Sequence, residues 1–244
     1  MRTLQLLFCL SITSILFAQQ PYYNNVNLTL TGEALYNELQ DKIDIDNTTF
    51  TYGDVRDTML ETDEDPDNSQ NVLLVYGYNN SSCVTDRTRN KQEFGGTSCN
   101  FNREHVFARS NADPEMGGTS NIYTGIVADP HNLRSSDVQM NGNRGNKKFA
   151  AGTGTAGDVG GNWYPGDEWK GDIARMMMYM YTRYGERCLP SLNGSGPLQS
   201  GNNMLQVYLQ WNIEDPVDAI FEDQRNNYLE TIYGNRNPFI DNPY

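Results

Sequence analysis

The chain has 244 residues, enough for one large domain or two small ones. Its 31 Asp+Glu against 18 Lys+Arg give a formal charge of −13, which argues against a general polyanion binder. No Cys/His set has zinc spacing and no His-Glu-x-x-His occurs, so a zinc protease is disfavoured.

Residues 1–18 read as a secretory signal. Arg2 gives the positive start, residues 4–17 the apolar core and Ala18 a small residue before the cut. Ser11, Thr13 and Ser14 interrupt the run, which is short for a membrane span. Cys9 lies inside the segment and not just after the cut, where a lipoprotein would need it. The mature chain, 19–244, is expected to be soluble and exported, either periplasmic or extracellular. Export makes disulfides possible. Cys83 and Cys99 flank one Gly-rich stretch and are the expected pair, leaving Cys188 as a buried thiol; other pairings stay open.

In chain order, residues 19–30 are a polar and aromatic lead-in. Thr31 is a candidate N-cap, and Leu35, Leu39 and Ile43 recur every four residues, which predicts a helix over 31–43. A second helical piece is expected over 52–60. The acidic run 61–70 lacks the Gly and terminal Glu of a calcium loop and reads as a solvated turn. Residues 71–78 read as a buried strand, 79–98 as a long loop and 122–127 as a short strand. Residues 150–162, rich in Gly, Thr and Ala, read as a mobile segment or equally as a substrate-side flap. Over 168–184, Ile173, Met176, Met177, Met180, Tyr181 and Tyr184 form one apolar stripe, with the methionines as core filler and Gly185 as the stop. Further helices are expected over 203–212 and from Asp215-Pro216 to about Tyr233. The face of the last would be Ile220, Phe221, Gln224, Tyr228 and Ile232. No repeat and no linker divides the mature chain, so a single α+β domain is expected.

Only two histidines occur, and one sits in Asn102-Arg103-Glu104-His105-Val106. On a strand, Glu104 and His105 would point to opposite faces unless the strand ends or bends there. An acid beside an imidazole suits a carboxylate that holds a metal while the imidazole works on a nearby water. Downstream lie Asp129-Pro130-His131-Asn132-Leu133 and the Asn-rich run 141–146, with Arg144 inside it. Amide oxygens are neutral hard ligands that suit Mg²⁺ or Ca²⁺. A neutral imidazole can take a proton from water, and an arginine can brace charge on a phosphorane. Together these parts make a phosphodiester hydrolase. The cations between Arg87 and Lys148 leave room for a local basic face on an acidic body.

These segments, with Lys170-Gly171-Asp172-Ile173-Ala174-Arg175 and Gly234-Asn235-Arg236-Asn237-Pro238-Phe239, resemble the endonuclease I family of secreted bacterial nucleases, in order from about Thr31 to the C-terminus. The resemblance implies a ββα-metal (His-Me finger) core and cleavage of DNA, often also RNA, without strict sequence choice. It implies that His105 is the general base and that Glu104 and Asn141 hold the metal, with Asn141 on the finger's helix. Water would attack phosphorus and leave 5′-phosphate ends. Mg²⁺ is the expected cofactor, with Mn²⁺ or Ca²⁺ as substitutes. Arg144 is expected at a substrate phosphate, with Arg103, Arg109 and Lys147 also binding substrate. His131 and Asn132 are expected to order the loop that aligns the finger, and Asp172 and Arg175 to be structural. The expected partner is nucleic acid, with no membrane and a monomeric chain. Backbone recognition does not separate DNA from RNA. A ribonuclease with little DNA activity and a catalytically silent nucleic-acid-binding module are the alternatives, and the retained Glu104, His105 and Asn141 argue against silence.

Overall fold

A computed structural model describes residues 20–242, so the signal reading of residues 1–18 lies outside the described residues. The described chain is one mixed helix-and-sheet domain. It opens with α1 (Gly32–Ile43) and α2 (Tyr52–Thr62). The start of α2 is fixed by a capping box: Thr51 accepts from Asp54 N, and Asp54 accepts from Thr51 N.

The acidic run is a solvated turn only in part: residues 66–70 are exposed, but its first half enters the core. It forms a hairpin of β1 (Glu64–Asp65) and β2 (Asn68–Leu73), and β2 also pairs antiparallel with β3 (Thr88–Asn90). Asp63 and Asp65 are buried, because Asp63 meets Arg134 and Arg225 from distant parts of the chain. The expected strand over 71–78 stops at Leu73, although Leu74, Val75 and Tyr76 continue into the core. Cys83 and Cys99 form a disulfide in the loop beyond, and Cys188 is a buried free thiol.

The centre of the molecule is β4 (Phe101–His105) paired antiparallel with β5 (Leu133–Asp137), which runs straight into α3 (Val138–Arg144). The register sets Glu104 opposite Arg134 and His105 opposite Leu133. Asp137 caps α3, its Oδ1 accepting from Gln139 N and Met140 N at 2.8 and 3.0 Å. Between these strands, the short strand expected over 122–127 is instead a 3₁₀ turn, Gly125–Ala128. The glycine-rich stretch carries a hairpin, β6 (Gly157–Val159) with β7 (Asn162–Tyr164).

Helix α4 (Lys170–Tyr184) is the core spine. Its predicted stripe is real, since Ile173, Met176, Met177 and Met180 are buried, but the opposite side is buried too. The polar residues there are spent in ion pairs: Arg175 on Glu222 at 2.7 Å, and Arg183 on Asp129 at 2.7 Å. Short α5 (Pro190–Asn193) and α6 (Gln206–Glu214) follow, then α7 (Phe221–Tyr233) and α8 (Pro238–Asp241). Helix α7 starts at Phe221, five residues after the Pro216 start that the Asp-Pro signal suggests, and Asp218 Oδ1 accepts from Ile220 N and Phe221 N at that start. Ile220 is therefore exposed, and the buried face is Phe221, Arg225, Leu229 and Tyr233. Gly234 ends the helix in the left-handed conformation at φ 81°. No helix among the described residues is long and apolar enough to cross a membrane.

Candidate active site

Strand β4 ends at His105, so the expected divergence of adjacent side chains does not separate the pair. Glu104 and His105 line one cleft of about 350 Å³, together with Tyr52, Arg103, Arg109 and Asn141. The segment just beyond the strand is stitched down by two buried asparagines. Asn132 bonds both the N–H and the carbonyl of Phe107, at 2.7 and 3.1 Å. Asn193 takes the N–H of Ala108 and donates to the carbonyl of Val106, at 3.1 and 2.9 Å. Each amide acts as an added rung of sheet where the ladder has ended.

His105 is buried, and its Nε2 lies 2.9 Å from the carbonyl oxygen of Val127. A carbonyl can only accept, so Nε2 carries the proton and Nδ1 keeps a free lone pair. Among the described residues no group bonds Nδ1. The ring of Tyr52 stacks on the imidazole at 5.4 Å and 14°, and the Arg103 guanidinium sits 3.6 Å from the centroid of that tyrosine ring. Burial, with Arg109, Arg103 and Arg144 adding to it, pushes the imidazole down to about 3. It is neutral across the working range.

Glu104 is also buried, and burial pushes its carboxyl up to about 7, against the pull of Arg144. Its Oε1 accepts from the Tyr76 hydroxyl at 2.9 Å and from Arg144 at 3.1 Å. Oε2 has no protein partner among the described residues. Asn141 projects from the first turns of α3. Its Nδ2 donates to Asn102 Oδ1 at 2.7 Å and to the carbonyl of Arg103 at 3.3 Å, which leaves its Oδ1 without a protein donor among the described residues. The cleft thus offers two bare hard oxygens, one charged and one neutral. No group of three or more His, Cys, Asp or Glu is gathered for a metal among the described residues. Two oxygens with water filling the other positions fit a hydrated Mg²⁺ and do not fit Zn²⁺ or a caged Ca²⁺.

The remaining predicted site residues separate into two groups. Arg103 and Arg109 line the cleft. Arg144 does not: it is fully buried, bonded to Glu104 and to the carbonyls of His105 and Val106 at 3.0 and 2.7 Å. The expectation that it meets a phosphate is corrected, because its two terminal nitrogens are engaged beneath the site, where they position Glu104 and the end of β4, while its Nε is buried without a partner among the described residues. Lys147 is outside the cleft lining and pairs with Asp158 at 3.0 Å. His131 lies in the core, its Nε2 at 3.2 Å from the carbonyl of Asn235 and its ring 4.5 Å from that of Tyr179. Asp172 pairs with Arg134 at 2.8 Å, and Arg175 holds Glu222 in a two-toothed grip.

The basic stretch from Arg87 to Lys148 does not form a basic face. Arg89, Arg134 and Arg144 are buried on acids, and Arg87, Lys91 and Lys147 pair with acids nearer the surface. Arg103, Arg109 and Lys148 are left without a carboxylate partner among the described residues, and two of these three line the cleft. Tyr52, Tyr76 and the Val127 carbonyl were missed in the sequence. A backbone carbonyl leaves no side-chain signal, but the Thr51–Asp54 spacing of a capping box does mark where Tyr52 is fixed.

The family described as Endonuclease I matches residues 31–244. An extracellular ribonuclease of Bacillus subtilis is 40% identical over 228 residues, which covers 87% of this chain and 73% of the relative. An extracellular ribonuclease of Bacillus amyloliquefaciens is likewise 40% identical, over 87% of this chain and 72% of its own. An extracellular deoxyribonuclease of Aeromonas hydrophila is 27% identical over 51% of this chain and 53% of its own.

Proposed function

Because the chain belongs to the Endonuclease I family, we propose that it is an exported, Mg²⁺-dependent endonuclease. It hydrolyses phosphodiester bonds in DNA and RNA without strict sequence choice, leaves 5′-phosphate ends and works as a monomer. The observation that carries this reading is one cleft holding a tautomer-fixed imidazole beside the bare oxygens of Glu104 and Asn141. The run of β4, β5 and α3 supports a ββα-metal core, with Asn141 on its helix.

In this reading Glu104 Oε2 and Asn141 Oδ1 would hold the metal. When bound, Mg²⁺ supplies charge neutralisation for the phosphate and its leaving oxygen. His105 Nδ1 accepts the proton of the attacking water while Val127 fixes the ring. Arg103 and Arg109 pair with phosphate oxygens at the mouth of the cleft. Tyr76 and Arg144 hold Oε1, so the carboxylate turns its other oxygen outward.

Purified 19–244 is expected to cut plasmid DNA and a structured RNA in Mg²⁺ and to leave both intact in EDTA. Failure on both substrates across Mg²⁺, Mn²⁺ and Ca²⁺ would replace this reading with a silent binding module. A second reading, a ribonuclease with little DNA activity, is favoured by the names of the two relatives that are 40% identical. The same assay separates it, since RNA alone would then be cut.

Burial pushes the Glu104 carboxyl up to about 7, so a proton and the metal compete for its Oε2. Mg²⁺ affinity is expected to rise with pH and to fall by about tenfold per unit well below 7. Calorimetric titration between pH 5.5 and 8 tests this; a flat affinity would remove Glu104 as the titrating ligand.

A further inference from the structure

Beside the catalytic cleft lies an exposed apolar patch that the chemistry above does not use. Ile122 is 78% exposed and Tyr123 47%, and with Met116, Gly118 and Val127 they line a second, open concavity. Single exposed apolar side chains are ordinary. Leu198, Ile213 and Ile220 are of that kind here. Two features set Ile122 and Tyr123 apart.

The first is that their loop is held in place. The carbonyl of Tyr123 accepts from Tyr52 N at 2.7 Å, and that of Asn121 from Gly53 N at 2.9 Å. Asn121 Oδ1 also accepts from Arg103 at 3.2 Å. A Cβ at residue 53 would lie 2.9 Å from the Asn121 carbonyl, so the loop comes this close only because that residue is glycine. The second is a shared wall. Val127 lines the patch, and its carbonyl fixes His105. Gly118 lines the patch and Thr119, the next residue, lines the cleft. Tyr52 and Arg103, which anchor the loop, line the cleft as well.

Charge supplies the reason for such a surface. At −13 the chain repels a polyanion overall, and Arg103 and Arg109, the two cleft arginines with no carboxylate partner among the described residues, give little grip on phosphates. Stacking of a base on an aromatic ring is indifferent to net charge and to base identity. A base inside a duplex can reach the ring only by leaving its own stack.

We propose that Tyr123 and Ile122 form a stacking platform for one unpaired base adjoining the scissile phosphate, which makes single-stranded nucleic acid the preferred substrate class. This rests on the nuclease reading above.

The test is steady-state cleavage of a single-stranded RNA oligomer, the same sequence as a duplex, and a single-stranded DNA oligomer with or without abasic sites flanking the cut. Tyr123→Ala and Ile122→Ser change exposed side chains, and thermal melting checks that each variant is folded. Tyr123→Ala is expected to raise KM on the single strands by roughly five- to a hundred-fold, the range for loss of one stacked base, with kcat nearly constant. Ile122→Ser shifts KM the same way by less, and Tyr123→Phe recovers it. The losses from Tyr123→Ala and from the abasic sites should not add, because both remove the same contact. Unchanged KM in folded Tyr123→Ala, fully additive losses, or a wild-type preference for the duplex would overturn the platform while the nuclease stood. Absence of cleavage of every oligomer by the wild type would instead overturn the nuclease reading, and the platform with it.

Discussion

His105→Ala is expected to lower phosphodiester cleavage by about 10²- to 10⁴-fold while leaving the chain folded. The imidazole is the one base in the cleft with a defined tautomer, since Val127 holds the Nε2 proton and Nδ1 is left free. Burial keeps it neutral, so it never has to lose a proton before it can act. A base pushed down to about 3 is weak, however, and the substrate must help. A phosphate anion set against Arg103 and Arg109 cancels part of the positive field that holds the imidazole down, and so strengthens the base once substrate is bound. The acid limb of activity then belongs to Glu104, near 7, and should move to lower pH as Mg²⁺ is raised. Rates at several Mg²⁺ concentrations between pH 5 and 8 check this, with circular dichroism to confirm that the variant is folded. A variant that cuts as fast as the wild type ends the assigned role of His105. An acid limb that ignores Mg²⁺ would move the titration from Glu104 to the imidazole.

What could be read along the chain and what could not divide by the range of the interactions involved. Helix α4 was legible because an apolar stripe repeats at the helical period, and α1 for the same kind of reason. The start of α7 was misplaced because Asp215 accepts from Gly171 N of α4 and not from a helix that it opens, while Asp218, three residues on, accepts from Ile220 N and Phe221 N. The 61–70 run was misread because its partners are remote: Asp63 meets Arg134 and Arg225, far away in the chain. Nothing local distinguishes a carboxylate bound for the core from one bound for water. The candidate site shows the same division. Glu104 and His105 could be singled out by their chemistry and Asn141 by the family resemblance, and the structure gathers them in one cleft. Arg144 could not be told from a substrate-binding arginine, because the deciding fact is that Glu104 and two carbonyls enclose it. Arginine is the residue best suited to either role.

Asp63→Asn is expected to cost about 3–5 kcal/mol of folding stability, more than any exposed acid in the same run. Asp63 is fully buried, and its Oδ1 meets Arg134 at 2.9 Å and Arg225 at 2.7 Å, while Oδ2 accepts from Ser135 N at 2.6 Å. Arg225 also donates to the carbonyls of Pro130 and Leu133, so one carboxylate ties α2, β5 and α7 together. An amide keeps the shape but not the charge, and it puts an N–H₂ where two guanidiniums already point. Two cations would then share the remaining anions, of which Asp172 serves Arg134. The desolvation already spent on those cations would no longer be offset. Asp67→Asn, at the exposed tip of the same hairpin, should stay within about 0.5 kcal/mol. Urea denaturation of the two variants beside the wild type reads the difference directly. Equal midpoints would mean that the buried carboxylate contributes no more than a surface one. The cluster also bears on the site, because Arg134 is the register partner of Glu104 across β4 and β5. A loosened Arg134 should reach activity only through the folded fraction, so Asp63→Asn is expected to lose cleavage on warming well before the wild type does, with kcat little changed at low temperature.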